Sequence, residues 1–200
     1  MSKLDDNKKV KEDSLLSTAF SLFTTKGVSK TSISDIVNNA GVAKGTFYLY
    51  FKDKYDIRNK LVSHKSSQLF KNAIETLNAN EEKLEFQEQM IFIIDNIINQ
   101  LNENKSLLNF ISKNLSWGIF KNALTTPSAE DDINFKHIYD KIIEDSPKKI
   151  NDPEIMLFTI VELVSSTCYS SILYSEPVEI NKLKPYLYKD IKNIIENHTA

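Results

Sequence analysis

The chain has 200 residues, 41% hydrophobic and 26% charged, with a net charge of −2. That balance is too apolar for a disordered polypeptide and suits one or two compact units. The single cysteine, Cys168, excludes an internal disulfide and a cysteine metal set, and fits a reducing cytoplasm.

The opening MSKLDDNKKVKED is charged and lacks a central apolar stretch, so no signal peptide is expected. Leu16, Ala19, Phe20 and Phe23 repeat at the helical period, and Gly27 follows where a helix end favours glycine. Ser32 reads as the N-cap of a second, short helix, with Asp35 in a capping-box position. Ile33, Ile36, Val37 and Ala40 give that helix an apolar face, and Gly41 ends it. A third short helix is predicted over about 43–51. Asp53 then caps a fourth, which carries Ile57, Leu61, Val62, Leu69, Ala73 and Leu77 to about residue 78. Three of the four glycines lie in the first 45 residues. Short helices and tight turns are therefore expected first, and long helices after them.

The fifth helix, about 81–103, has two apolar stripes, one through Ile91, Ile94 and Ile98 and one through Met90, Ile93 and Ile97. Two stripes predict burial around much of its circumference. A sixth helical region, about 105–124, contains Phe110, Trp117 and Phe120. TTPSAEDD (125–132) reads as a loop, and a helix with Ile133, Ile138, Ile142 and Ile143 follows. SPKKINDP (146–153) is the next connection. Two final helices are predicted over about 153–175 and 182–197. The longest apolar run, 155–164, is interrupted by Thr159 and Glu162 and is about half the ~20 residues of a membrane span, so no membrane partner is expected. No period-two strand pattern occurs, and the expected class is all-α.

Charge is distributed unevenly. Residues 1–60 carry eleven Lys or Arg against seven Asp or Glu, a net +4; residues 61–200 carry fourteen against twenty, a net −6. A basic first third on an acidic body suits an anionic partner, although chance also produces such an excess. Within this third, GVAKGTFYLYFKDK (41–54) is poor material for a plain core helix. Phe47 and Phe51 sit four apart, as core residues do, while Tyr48 and Tyr50 point elsewhere. Helix, short turn, helix is the helix-turn-helix arrangement, and its second helix fits the major groove of B-DNA. Lys44 then reaches a guanine edge or a phosphate, Gly45 permits close approach, and Thr46 offers a hydroxyl and a methyl. Tyr48 and Tyr50 offer hydroxyls to phosphate oxygens. Thr31 and Ser32 present hydroxyls and free N–H groups at one helix start, and Lys54 presents its N–H groups to a phosphate at another. Taken alone, the tyrosines read as core aromatics and the lysines as solvated surface.

The stretch TSISDIVNNAGVAKGTFYLYFKDK (31–54) resembles the TetR family of bacterial repressors, whose pattern is T-x-x-x-I-A-x-x-A-G-V-S-x-G-T-x-Y-x-Y-F-x-x-K. The resemblance covers about residues 8–60. It implies a three-helix helix-turn-helix DNA-binding domain over 1–53 and a helical ligand-binding and dimerisation domain over 54–200. Two departures stand out. Ala43 replaces a frequent Ser, which removes a side-chain N-cap worth about 1 kcal/mol, and Leu49 replaces a polar or basic residue.

The expected molecule is a homodimer, paired through the apolar faces of its last two helices. Those faces are Ile155, Phe158, Ile160 and Val161 on one helix, and Leu187, Ile191, Ile194 and Ile195 on the other. It reads a palindromic operator in double-stranded DNA, with half-sites about 34–36 Å apart, and represses until a small molecule binds. Phe92, Phe110, Trp117, Phe120 and Tyr169 are candidates to line an apolar or amphipathic ligand's pocket between the fifth to eighth predicted helices, though core residues look the same. Glu162 reaches the surface, an interface or a cationic ligand. His64, His137 and His198 lack partners at metal spacing. No phosphate loop, Gly-x-Ser-x-Gly, HExxH or nucleophile–base set occurs, so neither enzyme chemistry nor a cofactor is expected. The rival reading is a helical adaptor that binds protein alone.

Overall fold

The computed structural model describes residues 3–82, 84–125, 135–144 and 146–200. Among the described residues the named elements are all α-helices: α1 (Lys3–Thr25), α2 (Ile33–Ala40), α3 (Lys44–Tyr50), α4 (Lys54–Asn78), α5 (Phe86–Glu103), α6 (Lys105–Asn114), α7 (Trp117–Thr125), α8 (Phe135–Glu144), α9 (Pro153–Tyr174) and α10 (Ile180–Asn197). The fold is all-α, with a helix-turn-helix near its start. The predicted loop lies outside the described residues from 126 onward, as do Ile133 and the side chains of His137, Ile138 and Ile142.

Local chemistry explains most boundaries. Gly27 (φ 84°) and Gly41 (φ 69°) take the left-handed conformation that ends α1 and α2. Asp53 accepts the Tyr55 and Asp56 N–H groups at 2.7 and 2.9 Å and so starts α4. Two boundaries differ from expectation. The fifth helix begins at Phe86 rather than 81, because Glu85 and Glu88 form a reciprocal capping box there. The region 105–124 is two helices. Leu115 is extended (ψ 126°), and the Ser116 hydroxyl then accepts the Ile119 N–H at 3.4 Å. No glycine or proline marks that break, so periodicity ran through it.

Two main cores result. The first joins Leu15, Ala19 and Phe23 of α1 with Phe47 and Phe51 around α3 and Ile57 of α4, and it extends to Phe110 of α6. The second joins α5, α6, α9 and α10 through residues such as Ile98, Leu108, Met156, Ile160 and Ile191. Each buried aliphatic or aromatic side chain contributes about 1.5–3 kcal/mol. A polar clamp joins α5 to α10. Lys184 Nζ donates to Asp95 Oδ1 at 2.6 Å and to Asn99 Oδ1 at 2.5 Å, and the Tyr188 hydroxyl donates to the same Asp95 oxygen.

The last two helices use their apolar faces differently from the sequence expectation. Ile160, Leu187, Ile191 and Ile195 are buried within the chain, because α9 and α10 pack on each other. The apolar side chains left exposed are Ile155, Phe158 and Tyr174 on α9, Val178 in the connection, and Tyr186 on α10. Glu162 is exposed. Cys168 is buried, and burial pushes its thiol up to about 11. By length and hydropathy α9 could cross a membrane; here it lays Met156, Ile160, Cys168 and Ile172 into the second core.

Candidate nucleic-acid interface

Ser32 and Asp35 set the angle at which α2 begins. The Ser32 hydroxyl accepts the Asp35 N–H at 3.0 Å, and the Ser32 N–H donates to Asp35 Oδ2 at 2.9 Å. That backbone hydrogen bond, joined by one from the Ser32 hydroxyl, holds the Asp35 carboxyl below the usual carboxylate range. After Gly41 the Val42 N–H returns to the Val37 carbonyl at 3.0 Å, which closes the turn. Ile36, Val37, Phe47 and Phe51 then bury together. Their burial leaves Lys44, Gly45, Tyr48 and Leu49 outward on α3, with Tyr48 53% and Leu49 80% exposed. Ala43 precedes α3 without a side-chain cap.

The other predicted contacts sit elsewhere. Thr46 is half-buried, and Ser32 is exposed but shares its hydroxyl with Asp35. Thr31 is buried, against the expectation that it faces outward; its hydroxyl donates to the Gly27 carbonyl at 2.9 Å. The Tyr50 hydroxyl donates to the Lys8 carbonyl of α1 at 3.1 Å. Lys54 folds back on the α1–α2 turn, where its ammonium donates to the Val28, Ser29 and Thr31 carbonyls at 3.0, 3.2 and 3.2 Å. A Cβ built on Gly45 meets nothing within 4 Å, so packing does not require glycine there.

A cavity of about 150 Å³ lies in the helical body beside α4. Leu69 and Ile74 of α4, Met90 of α5, Ile111 of α6, Phe120 of α7 and Ile160 of α9 are among its walls. The expected pocket therefore gains α4 as a wall. Of the five aromatic candidates, Phe120 lines it. Phe110 instead packs edge-on against Phe20 in the first core, at 5.4 Å between centroids. Trp117 stacks on Phe120 at 5.2 Å and meets Phe158 edge-on at 5.1 Å. Tyr169 donates to Asn109 Oδ1 at 3.2 Å, and Phe92 is half-buried on α5 away from the cavity walls.

Residues 15–61, which hold the turn and both of its helices, match the family described as bacterial regulatory proteins, tetR family. The helix-turn-helix region belongs to the tetR family. It is similar to the uncharacterized HTH-type transcriptional regulator YvdT of Bacillus subtilis (strain 168), 43% identical over 63 residues, which are 30% of this chain and 32% of YvdT. It is also similar to the probable HTH-type transcriptional regulator YttP of the same strain, 24% identical over 189 residues, 89% of this chain and 86% of YttP. Among solved structures, the transcriptional regulator FadR from Bacillus subtilis in complex with stearoyl-CoA shares the fold. It has a TM-score of 0.65 and 20% identity, over 89% of this chain and 96% of that one. The helix-turn-helix of this chain is thus of the kind that tetR-family transcriptional regulators carry.

Sequence reasoning overlooked two residues. Lys60 donates to the Tyr50 carbonyl at 3.1 Å and lies over the Phe51 ring, so it closes the C-terminal end of α3. Ser66 is buried on α4, lines the cavity and has no hydrogen-bond partner among the described residues. The available signal was its place at i+4 from Val62 and i−3 from Leu69, a serine in an apolar stripe.

Proposed function

We propose that this regulator is a homodimeric repressor that reads a palindromic operator with α3 and is released by a small apolar or amphipathic molecule held in the helical body. Residues 1–53 act as the reading head and 54–200 as the effector and dimerisation body, in the cytoplasm. Lys44, Gly45 and Tyr48 meet the DNA directly, helped by Thr46 and the N-terminus of α2 at Ser32. Tyr50 and Lys54 act indirectly, by fixing α3 against α1 and the α1–α2 turn.

The observation that carries this reading is the course of α4. One helix holds Lys54 against the turn before α2, places Ile57 and Leu61 in the first core, and supplies Leu69 and Ile74 to the cavity. A ligand that displaces α4 thus moves the reading head. Release requires tighter ligand binding to the state that does not bind DNA. The FadR solved with stearoyl-CoA, an amphipathic molecule with a long apolar chain, supports an amphipathic effector. The exposed Ile155, Phe158 and Tyr186 support a dimer through α9 and α10.

The test is selection of bound sequences from a random DNA pool at two salt concentrations. Enrichment of a palindrome, with affinity falling as salt rises, is the expected result. Absence of enrichment from ligand-stripped protein would count against the DNA-reading assignment and favour a protein-binding adaptor.

A further inference from the structure

We infer that the cavity takes an uncharged ligand, an apolar molecule bearing one hydrogen-bonding oxygen, and that Ser66 is its polar anchor. The inference rests on the reading of this cavity as the effector site and adds the effector's chemical class.

The cavity matches in size an engineered apolar cavity that takes up benzene, about 150 Å³. Among the described residues its lining contains no Asp, Glu, Lys, Arg or His. A carboxylate or ammonium seated among these walls loses its hydration and gains no counter-charge from them, which disfavours it. Four lining side chains carry hydroxyls: Ser66, Ser112, Tyr139 and Ser165. Tyr139 donates to the Pro153 carbonyl at 2.8 Å, and Ser165 to the Glu162 carbonyl at 3.3 Å. Ser112 is half-buried. Ser66 differs from all of these: it is 3% exposed, and its Oγ has no partner among the described residues. The adjacent Ser67, also buried, donates to the Ala123 carbonyl at 2.9 Å. Burial without a partner carries a desolvation penalty that alanine would avoid. A ligand oxygen opposite Ser66 removes it and fixes the ligand's orientation. It also bonds the ligand to α4, the helix that holds the reading head.

The test is calorimetric titration of the full chain at neutral pH with two probes of equal chain length, 1-octanol and octanoate, on the unsubstituted protein and on Ser66→Ala. The expected result is that 1-octanol binds at least about tenfold more tightly than octanoate. Ser66→Ala should weaken 1-octanol about five- to tenfold and raise the thermal midpoint of the ligand-free protein. That rise separates a lost ligand bond from a damaged fold. Equal binding of the two probes, an octanol affinity unchanged in Ser66→Ala, or no octanol binding overturns the inference. Operator release is scored separately. If 1-octanol binds through Ser66 yet leaves the DNA complex intact, the effector reading falls and the anchor stands. If octanoate binds equally well and releases DNA, the anchor falls and the effector reading stands.

Discussion

The Lys54 ammonium donates to the Thr31 carbonyl at 3.2 Å, so the first residue of α4 is bonded to the chain just before α2. Two further bonds, to Val28 and Ser29, make Lys54 a tie across the α1–α2 turn. Lys54→Met should therefore lower stability by about 1 kcal/mol, since the group is partly exposed. Urea unfolding measures this. The salt dependence of DNA binding by the folded variant should keep its slope, and a reduced slope would make Lys54 a direct phosphate contact.

Lys44 and Tyr48 should behave in the opposite way. Both are exposed, so Lys44→Ala and Tyr48→Phe should leave unfolding curves unchanged. Lys44→Ala should reduce the logarithmic salt slope by about 1. Tyr48→Phe should weaken binding by about 1 kcal/mol across all sequences. Tyr50→Phe, which removes the bond to Lys8, should instead show its effect in unfolding. If Tyr48→Phe binds DNA as tightly as the parent, its hydroxyl does not touch the backbone.

Gly45 separates fold from function. A methyl group there contacts nothing in the protein, and alanine favours the helix by about 0.5–1 kcal/mol. Gly45→Ala should raise the unfolding midpoint and weaken operator binding. An increase in both quantities would show that DNA does not approach that backbone.

Ile155 is 57% exposed on α9, next to the exposed Phe158 turn. Ile155→Lys should shift the sedimenting species from dimer toward monomer without loss of helicity. A dimer of unchanged affinity would move the interface to another surface.

Burial opposes ionisation of Asp95, but hydrogen bonds from Lys184 and Tyr188 together outweigh it and hold the carboxyl below its ordinary range. A depressed folded pKa contributes stability that is fully present above the unfolded value, near 3.9. That contribution is lost as pH falls through the folded value. Unfolding free energy should thus fall on acidification below about pH 4, and Asp95→Asn should flatten that part of the profile. An identical acid profile in the variant would show that the clamp contributes nothing.

Much of the architecture was legible in local chemistry. Gly27, Ser32, Gly41 and Asp53 announce their turns and caps because each acts on backbone within a few residues. The period of Ile36, Phe47 and Phe51 identifies the faces that must bury. The pattern over 31–54 carries the family, because a turn this tight and a helix this short leave few choices of residue. Tertiary structure alone decided the rest. Thr31 and Lys54 look like surface groups until α1 and α4 close over the turn and supply distant partners. Leu187 and Ile191 look free to pair with a second copy until α9 covers them. Trp117, Phe110 and Phe120 are equivalent in sequence, yet only Phe120 faces the cavity. Ser66 is one serine among many until five other helices join α4 around the cavity it lines. Those outcomes depend on which surfaces meet across tens of residues, and a single chain's periodicity records only that a face is apolar, not what will cover it.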